Sequence, residues 1–452
     1  MADGVALAAK PDHPNGEGAR DPPARVNKTI EVTDGLGRTL LAWRRLAAMR
    51  RFMPAAQRPD TQPPDRGSVA RSKKWDLMNS AERREARYWR RKAARLERKH
   101  AALHGRDDFG SVFTYANMYQ AYRKCRRNVS WKASAQRYIT QAPLRVHETR
   151  DELMDGRYKP SAAHEFDLVE RGKRRHVRGV GIADRVVQRC LCDEALVPAI
   201  TRTLIYDNGA STDGKGYAFA LERLRQHLRE HYRRHGTEGY VLLFDFKGFF
   251  DGVSHELAKG CISKELSDPR ILELCYALID GYGDGRGLSL GSQISQVLAL
   301  ASANRLDHHI KESLRVRAYG RYMDDGYLIH ESKGFLRRCL AEIRGICTEL
   351  GLTLNERKTQ IVRLTRGFRY LKVRHYLLPS GRVLRKPCKD SASRMRRKLR
   401  AFRRKVDDGV MTSADAWRSF NGWRSHLKGL DAHRTIRETE RLCMELFGPE
   451  GA

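Results

Sequence analysis

The chain has 452 residues, which excludes a peptide or a small adaptor and is enough for two or three units with a sizeable core. Its 87 Lys and Arg against 54 Asp and Glu leave a formal net charge of +33, which points to a polyanionic partner. No apolar run approaches the roughly 20 residues that span a bilayer, and no charged segment followed by an apolar one opens the chain, so a soluble, cytoplasmic protein without a membrane partner is expected.

Nucleic acid is the expected polyanion, because the charge is spread over long segments that can neutralise phosphates and release counterions; an anionic membrane surface is the weaker alternative. The nine cysteines have no repeating interval. The closest pair, Cys190 and Cys192, falls in an expected helix where positions i and i+2 diverge, so reduced core thiols rather than zinc ligands are predicted.

Residues 1–70 carry repeated Pro, Gly, Asp and Arg around one apolar island at Leu40–Met53, and read as a disordered or weakly ordered tail. Asn79 and Glu82 make a capping-box-like pair that opens an expected helix closed by Gly105. Within it, residues 83–100 hold nine Lys or Arg and two Glu, with Tyr88, Trp89 and Leu96 between them. Like charges at i and i+4 repel, so nucleic-acid contact is favoured over a merely solvated face. Tyr122-Arg123-Lys124-Cys125-Arg126-Arg127 with Trp131-Lys132 is read as more of the same surface.

From Glu165 to Leu377, strand-like and helix-like runs alternate, and from Ser391 the chain reads as basic and helical to its end, interrupted at Gly422 and Gly429. Tyr240-Val241-Leu242-Leu243-Phe244 has the continuous apolar pattern of a strand buried on both faces and ends in Asp245. A carboxylate there is expensive unless neutralised, and a divalent cation is the economical partner. Gly320 to Ile329 places Asp324 and Asp325 between two strand-like runs, at an expected hairpin tip. Taken alone, two such aspartates are also compatible with a polar turn. With Asp245 alongside, three carboxylates could hold two Mg²⁺ about 4 Å apart, with Mn²⁺ as the alternative ion.

Phe-Asp-Phe-Lys-Gly-Phe-Phe-Asp at 244–251 and Tyr-Met-Asp-Asp at 322–325 resemble polymerase motifs A and C of reverse transcriptases. The resemblance continues in order along the chain. Gly172-Lys173-Arg174-Arg175-His176 with Asp184 to Gln188 is similar to the fingers of group II intron, retron and related bacterial enzymes, His176 standing where that family has Pro. Gly287 to Gln296 resembles motif B, Leu350 to Asn355 with Lys358-Thr359 resembles motif D, and Phe368-Arg369-Tyr370-Leu371-Lys372 resembles the primer-grip hairpin, with Lys372 in place of a glycine.

The resemblance implies metal ligation by Asp245, Asp324 and Asp325 with Phe246 in the same shell, and general-acid work for Lys358 on the leaving pyrophosphate. It also implies dNTP contacts from Lys173, Arg175, Phe246, Phe250, Leu290 and Gly291. Phe250, five residues beyond Asp245, stands where the family places the ring that excludes a 2′-hydroxyl, and Leu290 where many members have Gln. The Gly291 to Gln296 form is similar to that of diversity-generating and defence-associated enzymes. Asp307-His308-His309 and the glycines 281, 283, 285 and 287 are read as misleading hints of a metal site and a phosphate cradle.

The predicted class is α+β, a right-hand polymerase with fingers, palm and thumb behind a basic helical extension. The expected divisions are residues 1–70 tail, 71–159 extension, 160–375 fingers and palm, and 376–452 helical thumb. The implied partners are a structured non-coding RNA template, a primer with its DNA product, and dNTPs. Two rivals stay open: a maturase-like RNA-binding protein that needs no polymerase activity, and an RNA-directed RNA polymerase.

Overall fold

The structure is a computed structural model that describes residues 105–449, save 128 and 171, and isolated positions at 80, 84, 87, 88, 90, 91 and 103. The expected tail at 1–70 and the Asn79–Glu82 cap lie outside the described residues. Of the expected basic helix, Ser80, Arg84, Arg87, Tyr88, Arg90 and Arg91 are helical and exposed.

After a single helical turn at Phe109–Val112 come helices α1 (Tyr115–Cys125), α2 (Ala133–Thr140) and α3 (Ala142–Met154), α1 being opened by the Thr114 hydroxyl, which accepts from the Asn117 amide at 3.2 Å. Met118, Ala121, Tyr122 and Cys125 recur at helical spacing on the buried face of α1 and join the largest core. Val146 and Leu153 of α3 do the same. This part of the expected extension is therefore built into the main body. Arg123, Lys124, Arg126 and Arg127 remain exposed on α1 and beyond its end, and Trp131 keeps 73 % of its surface exposed.

Strands β1 (His164–Glu170) and β2 (Lys173–Gly179) form an antiparallel hairpin whose first strand exposes both faces. Helices α4 (Ile182–Leu191) and α5 (Tyr217–His235) follow. Strand β3 (Tyr240–Asp245) leads into α6 (His255–Ser263), α7 (Pro269–Asp280) and α8 (Gln293–Ser302). The hairpin β4 (Tyr319–Tyr322) and β5 (Asp325–His330), then α9 (Lys333–Glu349) and β6 (Gln360–Arg363), complete an antiparallel sheet in the order β4-β5-β3-β6.

The unbroken apolar run of β3 is explained by its neighbours. Leu242 and Phe244 face the large helical core, whereas Val241 and Leu243 face a second core with Leu221, Leu224 and Leu228 of α5. Residues of β7 (Phe368–Tyr370), β8 (Val373–Leu377) and β9 (Val383–Pro387) close that second core.

Helices α10 (Lys389–Asp407), α11 (Ser413–Ser425) and α12 (His433–Phe447) form a third cluster around Leu399, Trp417, Phe420 and Cys443. The helices begin at Lys389, close to the Ser391 from which the chain reads as helical, because β8 and β9 first carry a three-stranded sheet to Pro387. One expectation is corrected here: Gly422 lies inside α11 and does not interrupt it, whereas Gly429, with φ +78°, lies in the turn that follows. Among the described residues no helix is long and apolar enough to cross a membrane.

Candidate active site

The last residue of β3 and the first of β5 are paired across the sheet: Asp245 stands opposite Asp325 in the register that pairs Phe244 with Gly326. The pairing requires glycine at 326, since a Cβ there would lie 2.2 Å from the Phe244 ring. Met323, at φ +53°, turns the chain between β4 and β5. The Phe246 amide donates to the Asp324 carbonyl at 3.2 Å, so the end of β3 and the hairpin tip hold each other.

Three carboxylates thus meet at one end of the two central strands of the sheet. Asp245 is 4 % exposed. The Asp325 carboxyl is pushed up to about 7, first by burial and then by the charges of Asp324 and Asp245, with Lys358 opposing. Such a donor set suits an added cation, because all its ligands are hard oxygens whose mutual repulsion a single protein cation relieves only in part. Among the described residues no three His, Cys, Asp or Glu stand in a ready-made metal cage.

The structure supplies a cation of its own. The Lys358 ammonium donates to Oδ2 of Asp245 at 2.5 Å, and the Asn355 side-chain amide donates to Oδ1 at 3.2 Å. The Asn355 main-chain amide donates to the Asp245 carbonyl at 2.7 Å, fastening the loop after α9 along the end of β3. Burial opposes the charge on Lys358, but the hydrogen bond and charge of Asp245 prevail and raise its pKa.

Asp245, Asp324, Asp325 and Lys358 line one cleft of about 880 Å³, shared with Tyr217, Arg369, Lys372 and Arg394. The last three are cations that the sequence reading gave no catalytic place. Phe246 is buried and stacks on Phe249 with ring centroids 4.8 Å apart, so it can reach a ligand only through its main chain. Phe250 is half-buried, and its carbonyl accepts from the Leu288 amide at 2.9 Å, tying it to the segment that carries Leu290 and Gly291.

Phe250, Leu290 and Gly291 do not line that cleft. Gly291, at φ +101°, faces Val177 of β2, and the Ser289 hydroxyl donates to the Arg178 carbonyl at 3.3 Å, so the β1–β2 hairpin touches this loop. The backbones of Lys173 and Arg175 lie on β2, while their side chains lie outside the described residues. Gln188 has a role that its surroundings did not suggest: its side-chain carbonyl accepts from Ser292 at 2.9 Å and anchors the start of α8.

Asp307, His308 and His309 turn to different partners. His308 bonds Glu312 at 2.6 Å and His309 bonds Glu342 at 2.9 Å, whereas Asp307 turns inward and is fully buried.

Residues 174–375 match the family model described as reverse transcriptase (RNA-dependent DNA polymerase). Among curated proteins, Protein YkfC of Escherichia coli (strain K12) is 27 % identical over 270 residues, covering 49 % of this chain and 68 % of that protein. Among solved structures, telomerase from Candida albicans in complex with a fragment of telomeric RNA aligns with a TM-score of 0.40 at 12 % identity, covering 65 % of this chain and 61 % of the other. Apo telomerase from Candida tropicalis aligns at 0.41 and 13 %, covering 64 % and 63 %. The chain thus spans less than two thirds of those telomerase chains.

Proposed function

With residues 174–375 forming a reverse transcriptase domain, we propose that the protein is an RNA-directed DNA polymerase that adds dNTPs to a primer 3′-hydroxyl, in the service of a bacterial or prophage retroelement or an antiviral defence system. The observation that carries this reading is the alignment of Asp245 with Asp325 across β3 and β5, with Asp324 at the adjoining turn. A pair of Mg²⁺ held by Asp245, Asp324 and Asp325 would lower the pKa of the attacking hydroxyl and stabilise the leaving pyrophosphate.

The protein's own residues do the rest. Asn355 holds the Asp245 carboxylate in a fixed orientation, so the nucleophile and the α-phosphate meet without further reorganisation. Lys358 lies beside the same carboxylate, from where it can hand a proton to pyrophosphate. Arg369, Lys372 and Arg394 line the cleft with positive charge suited to a nucleic-acid backbone. Arg396, Arg397, Arg400, Arg403 and Arg404 give α10 a basic character that suits the RNA and its DNA copy.

One observation favours the maturase-like reading. Lys358 neutralises Asp245 without a metal, so the carboxylates can persist in a protein that only binds RNA. Primer extension on an RNA template with Mg²⁺, comparing dNTPs with NTPs and wild type with Asp324→Asn/Asp325→Asn, separates the readings. DNA product that disappears in the variant supports the polymerase. RNA binding with no product from wild type, even on its copurified RNA, supports the binder.

A further inference from the structure

Arg321 is the largest side chain in the described residues with no solvent exposure, and it sits on β4, an edge strand of the catalytic sheet. A guanidinium is rarely buried there without a task that repays its desolvation. Each of its three guanidinium nitrogens has a partner. Nε and Nη2 donate to Oδ1 and Oδ2 of Asp307 at 2.8 and 2.6 Å, and Nη2 also donates to the Leu300 carbonyl at 3.2 Å. Nη1 points the other way and donates to the Met323 carbonyl at 2.8 Å.

That last contact falls on the residue that makes the turn. Met323 has φ +53°, a conformation disfavoured for a side chain of its kind, so its surroundings must hold it. Arg321 grips the carbonyl before Asp324, and Phe246 grips the carbonyl of Asp324 itself. Asp307 is held in turn by the Tyr319 hydroxyl at 2.5 Å and by the Asn208 side chain at 3.4 Å. Leu300 belongs to α8, whose first turn follows Gly291, so one side chain links that helix to the Met323–Asp324 turn.

We infer that Arg321, aligned by Asp307, is a positioning residue that sets the orientation of Asp324 and Asp325 toward a divalent cation. This rests on the proposed metal-dependent polymerase reading. A lysine would keep the charge opposite Asp307 but, as a point donor, would lose the fork that also reaches Met323.

The test uses the full chain with two variants. Arg321→Lys keeps the buried charge, and Arg321→Met/Asp307→Leu removes both charges, so neither partner is left alone in the core. Mn²⁺ binding is read by the spectroscopic signal of the free ion, with Asp324→Asn as control, beside thermal melting, kcat and the KM for dTTP on a poly(rA) template with an oligo(dT) primer.

In a variant that melts within a few degrees of wild type, Mn²⁺ affinity and kcat are each expected to fall about tenfold or more, while KM changes far less. Mn²⁺ affinity and kcat within twofold of wild type in such a variant overturn the inference, as does wild-type Mn²⁺ binding that Asp324→Asn leaves unchanged. If both variants lose the cooperative melt, the pair is a folding element and the inference likewise falls. Wild type that binds Mn²⁺ through Asp324 but extends no primer would instead sink the polymerase reading, and Mn²⁺ affinity weakened in Arg321→Lys would still support the positioning role.

Discussion

The ammonium of Lys358 lies 2.5 Å from Oδ2 of Asp245, joining residues 113 positions apart and placing a protein cation against the carboxylate at the end of β3. Asp245 is buried, whereas the Lys358 side chain is about half exposed. If a divalent cation binds Asp245 as proposed, it must first loosen this pair.

Lys358→Ala leaves a buried carboxylate short of its closest cation, so the metal-free protein should lose about 1–2 kcal/mol. Thermal melts should show a larger stabilising shift on adding Mg²⁺ in the variant than in wild type, because the metal then replaces the missing cation. Equal shifts would show that the pair and the metal do not compete.

Leu371 and Lys372 both have positive φ, +47° and +61°, at the turn between β7 and β8. A lysine held this way is strained by about 1 kcal/mol relative to glycine. Lys372→Gly should raise the urea midpoint accordingly, yet weaken binding of an RNA–DNA template-primer and lower the salt dependence of that binding by about one ion. An unchanged affinity would remove Lys372 from the nucleic-acid surface.

Phe250 is half-buried beside Phe249 and tied through its carbonyl to Leu288. If its ring excludes a 2′-hydroxyl, Phe250→Ala should raise NTP incorporation relative to dNTP by about 10- to 100-fold in single-nucleotide kinetics. A merely destabilised core would lower both rates together.

His227 is 3 % exposed, and its ring bonds the hydroxyl of Tyr327 on β5 at 2.9 Å. Burial, helped by Lys311 and Arg223 and opposed by Asp207, pushes its pKa down to about 4 from an ordinary 6.5. The unfolded chain takes up this proton first as pH falls, so stability is lost between about 6.5 and 4 and no further below that window, to a total of about 3 kcal/mol. His227→Gln should flatten that part of a urea-midpoint profile against pH. A profile identical to wild type would assign acid sensitivity elsewhere, His375 being the next candidate, its pKa likewise pushed down to about 3 by burial.

What the sequence by itself determined are features set by neighbours along the chain. Five apolar residues ending in Asp245 define a doubly buried strand with a carboxylate at its tip, and two aspartates between strand-like runs define a hairpin end. Alternation and turn chemistry are local, so these survive without knowledge of the fold. Tertiary structure alone decided the pairings: Asp245 with Lys358, Arg321 with Asp307, Gln188 with Ser292, and the burial of α1 and α3 in the main core. It also decided that residues after Leu377 extend a sheet before any helix starts. In each case a charged, polar or amphipathic residue has many chemically acceptable partners, and only packing brings one of them within hydrogen-bond distance.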